Sequence, residues 1–279
     1  MNIDRWSEQF EKDMQVIRNS QSTRDNYGCQ VKMFLAYFEK LNYTSPERIN
    51  AEKIKDYLLT KISNNNQRHA HSAIKHFYKI TVHQELKFRF IQYAEKEKKH
   101  PIILSREETK RWFEACTNVK HKCIMLVAYA TGVRVAELLD IKLTDIDRAN
   151  GVIHVMRGKG SKQRQVTMKP ELLEKIENYY RIYHPKVYLF ENPKGGKYTD
   201  SSINSFLKKY AKIAGIKKNV HIHLMRHLYA THSLESGENL YTTQKCLGHA
   251  SPKTTADFYY HISPSIVANA YSPINDLWK

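Results

Sequence analysis

The sequence has no apolar run near the roughly 18 residues that a membrane-spanning helix needs, which excludes a helical membrane protein. Its opening residues, Met1 to Trp6, lack the apolar core of a signal peptide, so residence in the cytosol is the expectation. The four cysteines (Cys29, Cys116, Cys123, Cys246) form no CxxC pair. They sit in apolar or helical runs and read as buried thiols, not as a disulfide framework. The GxxxxGK[ST] spacing of a nucleotide-binding P-loop is missing around Gly158-Lys159-Gly160. His223 and His227 are spaced as in the zinc helix HExxH, but Leu224 stands where the general-base glutamate belongs. Cys246 and His249 could complete a structural zinc site, again without a CxxC to support them. Asp145 and Asp147 form no clear metal-holding set. Neither a metal nor a cofactor is expected.

What the chain has is positive charge. Lysine and arginine number 45 against 28 acidic residues, a net charge of +17. Such a balance points to a polyanionic partner, most commonly nucleic acid. The basic residues spread over both halves of the chain, which favours two folded domains that both touch a nucleic-acid backbone. At 279 residues, 41% hydrophobic and 26% charged, the chain suits two soluble domains of ordinary size.

Residues 1–92 read as a small helical bundle. Tyr27, Val31, Phe34, Leu35 and Phe38 follow helical spacing after a Ser22/Thr23 cap. Ile54, Tyr57, Leu58 and Ile62 mark another helix, and Asn64-Asn65-Asn66 reads as a polar break before Ala73, Ile74, Phe77, Tyr78 and Ile80. Lys32, Lys53, Arg68, His69, His71, Lys75 and His76 are the candidate DNA contacts on its polar faces. Residues 93–104, charged and ending their run at Pro101, read as a linker. A capping box at Ser105 to Glu108 then starts a domain over residues 105–279.

In that domain an apolar helix from His121 to Thr131 breaks at Gly132. Arg134 follows at an inward position, with Glu137 one turn along able to hold its guanidinium; a structural ion pair would give the same pattern. Asn150-Gly151 signals a hairpin before a strand from Val152 to Met156, and a second strand runs from Gln165 to Met168. Between the strands lies the basic tip Gly158-Lys159-Gly160, where backbone and lysine can approach a ligand. Pro193 to Lys197 reads as a flexible basic turn, and a helix runs from Ser201 to about Ala214. Leu224, Leu228, Thr231 and Leu234 share a helical face that stops at Gly237. A shorter helix, Tyr241 to Leu247, ends at Gly248, and Pro252 opens a third that carries Tyr259 and Tyr260. The apolar residues after Pro264 need a docking place, on their own domain or on a neighbouring subunit. The fold class is therefore mainly α with a small antiparallel β-sheet: an α+β catalytic domain behind a helical bundle.

Phosphoryl transfer without metal fits these residues. A phosphodiester under attack gathers negative charge on its non-bridging oxygens, which two arginines can clamp and histidines can supplement. Arg134, Arg226, His223 and His249 supply such groups. A tyrosine can attack to leave a covalent phosphotyrosine, and a hairpin lysine can protonate the leaving oxygen. The intermediate retains the phosphodiester bond energy, so strands can rejoin without ATP.

The segment Ala130-Thr131-Gly132-Val133-Arg134-Val135-Ala136-Glu137-Leu138 resembles the first arginine box of the tyrosine recombinase (phage integrase) family. The other boxes follow in the family's order: Gly158 to Arg164, His223 to His232, Leu247-Gly248-His249, and Thr254-Thr255 with the tyrosines. The resemblance spans residues 105–261, and the basic helical domain resembles the family's core-binding domain. It implies that Arg134 and Arg226 hold the scissile phosphate and that Lys159 acts as general acid on the 5′-oxygen. It further implies that His223 assists proton transfer from the nucleophile, that His249 bonds a non-bridging oxygen, and that Glu137 supports the first arginine. It implies a homo-tetramer on two double-stranded DNA recombination sites, working through a Holliday junction and passing a C-terminal segment between subunits. The family's tyrosine position, nine residues after the third-box histidine, is Phe258 here. A one-residue insertion makes Tyr259 the nucleophile, with Tyr260 as the alternative. Met225 replaces the usual leucine at similar volume. A type IB topoisomerase, or a DNA-binding protein that has lost catalysis, are the competing functions. Target sequence and accessory proteins are not written in the chain.

Overall fold

The computed structural model describes residues 2–61, 63–84, 102–156 and 164–248. The chain divides into two compact units, residues 1–99 and 100–279. Lys159, His249, Tyr259, Tyr260 and the expected third helix lie outside the described residues, as do most of the expected linker and the apolar tail.

Unit one is built from α1 (Ile3–Val16), α2 (Gln21–Lys40), α3 (Ala51–Leu59) and α4 (Asn64–Ile80), with a 3₁₀ turn at Pro46–Arg48. Its core is strongly aromatic. Phe34 and Phe38 of α2, Tyr57 of α3, and Phe77 and Tyr78 of α4 are all buried. Phe34 meets Tyr57 edge-on at 5.2 Å between ring centres, the arrangement ring quadrupoles favour. The Tyr78 hydroxyl, buried among these rings, donates to the Pro46 carbonyl at 2.7 Å, so its burial leaves no polar group stranded.

Two local readings shift here. Helix α2 is capped by Ser20, whose side chain accepts from the Thr23 amide, and not by Ser22 or Thr23. The triple asparagine is no break: Ser63 accepts from the Asn66 amide and turns those asparagines into the first turn of α4. Of the candidate DNA contacts, His71 is buried and His76 is half-buried with its Nε2 3.2 Å from the Asn19 side-chain amide, whereas His69 and Lys75 are exposed.

Unit two holds α5 (Arg106–Ala115), α6 (Val119–Thr131), α7 (Val135–Asp140), β1 (Ile146–Asp147), β2 (Val152–Val155), β3 (Arg164–Thr167), α8 (Pro170–Tyr183), α9 (Asp200–Ile213), α10 (Ile222–Glu235) and α11 (Leu240–Leu247). The capping box of α5 is formed as the sequence predicts, with Ser105 and Glu108 each accepting from the other's backbone amide. Helix α6 is mostly apolar beyond its first turn because it is a central element, packed against α8 and α10. The sheet is antiparallel in the order β1-β2-β3, with Val152 opposite Thr167 and Val155 opposite Arg164. The expected apolar face of α10 is buried at Leu224, Leu228, Thr231 and Leu234.

Other expectations are corrected. Cys29 is exposed and Cys246 partly so; only Cys116 and Cys123 are buried thiols. Helix α9 starts at Asp200, within one residue of the expected Ser201, with the Thr199 hydroxyl capping the Ser202 amide. The basic turn at Pro193–Lys197 is tightly organised. The Asn192 side chain accepts from the Lys194 and Gly196 amides and donates to the Lys197 carbonyl.

Candidate active site

The site is assembled at the end of α6. Gly132 ends that helix in the left-handed region (φ 60°), and its amide bonds the Ala128 carbonyl. A β-carbon here would lie 2.7 Å from both Leu247 and Tyr229 side-chain atoms, so glycine is required by conformation and by space. The chain then turns at once into α7, which leaves Arg134 as its N-terminal cap residue.

Glu137, one turn into α7 and 8% exposed, accepts the Arg134 amide at 2.8 Å and its Nη1 at 3.0 Å. The expected pairing of Arg134 and Glu137 is thus present, but Arg134 is not inward as expected, its side chain being 39% exposed, and the pair is half of a larger arrangement. Arg164 at the start of β3 grips the same carboxylate with both terminal nitrogens, at 2.9 and 2.8 Å. Burial would raise the Glu137 pKa; the Arg164 hydrogen bonds, the Arg134 amide and the two positive charges outweigh it and hold it at about 2.

Arg226, on α10 and 7% exposed, sends Nη1 to the Gly132 carbonyl at 2.7 Å and Nη2 to the Leu247 carbonyl at 2.8 Å. Three successive carbonyls at the C-terminus of α11 thus accept from three different arginines. Cys246 accepts from Arg164 Nε at 3.0 Å, Leu247 from Arg226, and Gly248 from Arg134 Nη2 at 3.3 Å. A helix C-terminus has unpaired carbonyls and partial negative charge, and here guanidinium groups satisfy both. The structure therefore brings Arg134, Arg226 and the residue preceding His249 together.

His223 lies at the exposed start of α10, one turn before Arg226. Loss of water around its ring lowers its pKa; Asp200 opposes this, and His221, Arg226 and Arg134 add to the lowering. Neutral at pH 7, the ring can accept a proton. His221 caps α10, its Nδ1 accepting from the Leu224 amide at 3.0 Å. The partly buried His227 is pushed down to about 4, by burial first and then by His221, His223 and Arg226. Among the described residues no three His, Cys, Asp or Glu side chains come together as metal ligands would.

Two features were not assigned from sequence. Arg164 stands in the second resembling segment but had no stated role; its signal is the strand alternation that puts it on the face of buried Val166. His232 had no role either. Its Nε2 meets the Leu104 carbonyl at 3.1 Å and its Nδ1 meets the Tyr129 hydroxyl at 2.9 Å, tying the start of this unit to the helix that carries Arg226.

The unit is thus a mainly helical α+β domain with a three-stranded sheet, in which Arg134 and Arg226 bond the adjacent Gly248 and Leu247 carbonyls. Residues 103–265 match the phage integrase family, and residues 6–88 match the phage integrase N-terminal SAM-like domain. The chain is 32% identical over 273 residues to a putative integrase/recombinase of Sinorhizobium fredii, covering 95% of this chain and 87% of the relative. It is 30% identical over 288 residues to the tyrosine recombinase XerC of Staphylococcus epidermidis, covering 96% of each. Its fold is similar to that of lambda integrase in a tetramer bound to a Holliday junction, with a TM-score of 0.76, 16% identity, and 97% of this chain and 79% of that one covered. This chain belongs to the phage integrase family of tyrosine recombinases. It is a DNA strand-breaking and rejoining enzyme that acts in site-specific recombination.

Proposed function

We propose that the chain cleaves one DNA strand at a time by attack of Tyr259 on a backbone phosphate. The attack forms a 3′-phosphotyrosyl bond and releases a 5′-hydroxyl, and the 5′-hydroxyl of a partner strand reverses the step. Arg134 and Arg226 hold the non-bridging oxygens, where charge grows in the transition state. His223 takes the tyrosine proton, His249 donates to a non-bridging oxygen, and Lys159 protonates the leaving 5′-oxygen. No metal and no cofactor enters this scheme. Residues 1–92 grip the duplex as a core-binding domain, residues 93–104 link, and residues 105–279 carry the chemistry. The working assembly is a homo-tetramer spanning two recombination sites, in the cytoplasm, as expected for a mobile-element integrase.

The observation that carries this reading is the convergence of Arg226 and Arg134 on adjacent carbonyls, Leu247 and Gly248, directly before His249. A pool of nicked duplexes with randomised sites tests it. The wild-type protein is expected to form an SDS-resistant adduct with part of the pool, which also reveals the target sequence. Tyr259→Phe should form none, while Tyr260→Phe should keep it. Adduct lost only in Tyr260→Phe reassigns the nucleophile. Retention of DNA without any adduct identifies a binding protein, and relaxation of supercoiled plasmid of any sequence identifies a topoisomerase.

A further inference from the structure

Arg164 is a buried cation that the chemistry above leaves without a task. Its cross-strand neighbour Val155 and its same-face neighbour Val166 are both buried, and its own side chain is 10% exposed. A charge in that position is strongly disfavoured unless fully partnered. It is partnered three times: to each oxygen of Glu137, and through Nε to the Cys246 carbonyl.

The consequence for Arg134 is electrostatic. Glu137 lies between two guanidinium groups and gives each of its oxygens to both residues. Without Arg164, more of the negative charge of Glu137 would bear on Arg134 and weaken its pull on a phosphate. Among the described residues, Arg134, Glu137 and Arg164 together carry one positive charge, and Arg226 brings another. A phosphodiester carries one negative charge and gains another as an oxyanion attacks it, so positive charge kept at the site favours the transition state over the ground state.

We infer that Arg164 is a positioning residue of the cleavage step. It shares the Glu137 carboxylate so that Arg134 keeps its charge for the phosphate, and it fixes the end of α11 through Cys246. This rests on the proposed tyrosine chemistry.

The test uses the full chain and the nicked duplex recovered from the randomised pool. It reads two quantities: the rate of adduct formation at saturating DNA, and the DNA dissociation constant. Arg164→Met is expected to slow adduct formation about 100-fold, the size of losing one transition-state donor, with affinity changed by less than about threefold. Adding Glu137→Gln to Arg164→Met should recover about tenfold in rate, because the uncompensated carboxylate is gone. A merely structural arginine predicts instead that the rate follows the folded fraction, so that loss and recovery both vanish once rates are corrected for the fraction folded in urea titration. Arg164→Lys keeps the charge but cannot reach both oxygens and a carbonyl at once, so it should slow the step by about tenfold. If Arg164→Met does not fold, Arg164→Lys carries the comparison. A wild-type rate in either variant, or a double variant no faster than Arg164→Met, overturns the inference. Absence of adduct from the wild-type protein overturns the tyrosine chemistry itself, and so separates the two failures.

Discussion

Replacing Glu137 by glutamine tests the central ion cluster most directly. Among the described residues the carboxylate accepts four hydrogen bonds, two from Arg134 and two from Arg164, and it is 8% exposed. A glutamine amide offers one oxygen, and its NH2 then faces donors. Two routes give the magnitude. Breaking one member of a buried pair costs about 3–5 kcal/mol, because it leaves the partner charge uncompensated. Independently, a carboxyl held at about 2 in place of 4.5 stabilises the folded state by about 3 kcal/mol. The two agree, so about 3 kcal/mol is expected, which for a unit of 180 residues lowers Tm by roughly 6–12 °C. The pH dependence fixes the cause. The folded pKa is depressed, so the contribution is complete above about 4.5 and is lost as pH falls towards 2. Urea unfolding of Glu137→Gln and wild type at pH 7 and pH 3 should show a gap that narrows on acidification. A Tm within about 1 °C of wild type at pH 7, or a gap equal at both pH values, would refute the cluster as a source of stability.

Gly132→Ala places a β-carbon 2.7 Å from Leu247 and Tyr229 atoms at a left-handed residue. Strain and overpacking together should cost roughly 2–4 kcal/mol in calorimetry. Arg226→Lys keeps the charge but cannot bond the Gly132 and Leu247 carbonyls together. A stability loss of about 2 kcal/mol and at least a 100-fold slower adduct formation are expected in denaturant titration and suicide-substrate assays. His227 titrates at about 4 in the fold and near 6.5 unfolded, so the unfolded chain takes up the proton first. Wild type should therefore lose stability as pH falls from 6.5 to 4, and His227→Gln should remove about 2 kcal/mol of that loss, after allowance for the part of the ring that water reaches.

Most of the fold was legible in the sequence because its signals are local. The helical period of α2 and α10, the Ser105–Glu108 capping box and the hairpin at Gly151 each need only a few neighbouring residues to act. Two of the departures from expectation share one cause, a polar side chain that could bond in either of two directions. Asn64 to Asn66 look like a break until Ser63 claims the Asn66 amide. Pro193 to Lys197 look loose until Asn192 binds across them. Composition alone cannot say which competing hydrogen bond forms.

The same distinction divides the site. Arg134 and Glu137 are three residues apart at a helix start, so their pairing follows from spacing alone. Arg164 reaches Glu137 from 27 residues away and Cys246 from 82, across elements whose docking no local pattern encodes. What local pattern does encode is that β3 must turn Arg164 inward, and an inward charge demands an anion. Among the described residues Glu137 meets that demand, and it is already committed to Arg134. Sharing is the outcome, and exposure then orders the cations. Arg226 and Arg164 are 7% and 10% exposed and tied to carbonyls, while Arg134 remains 39% exposed at the rim. The two less exposed arginines fix the surroundings of the third, Arg164 through Glu137 and Arg226 through the Gly132 and Leu247 carbonyls, so the most exposed of the three guanidinium groups is held in place from two sides.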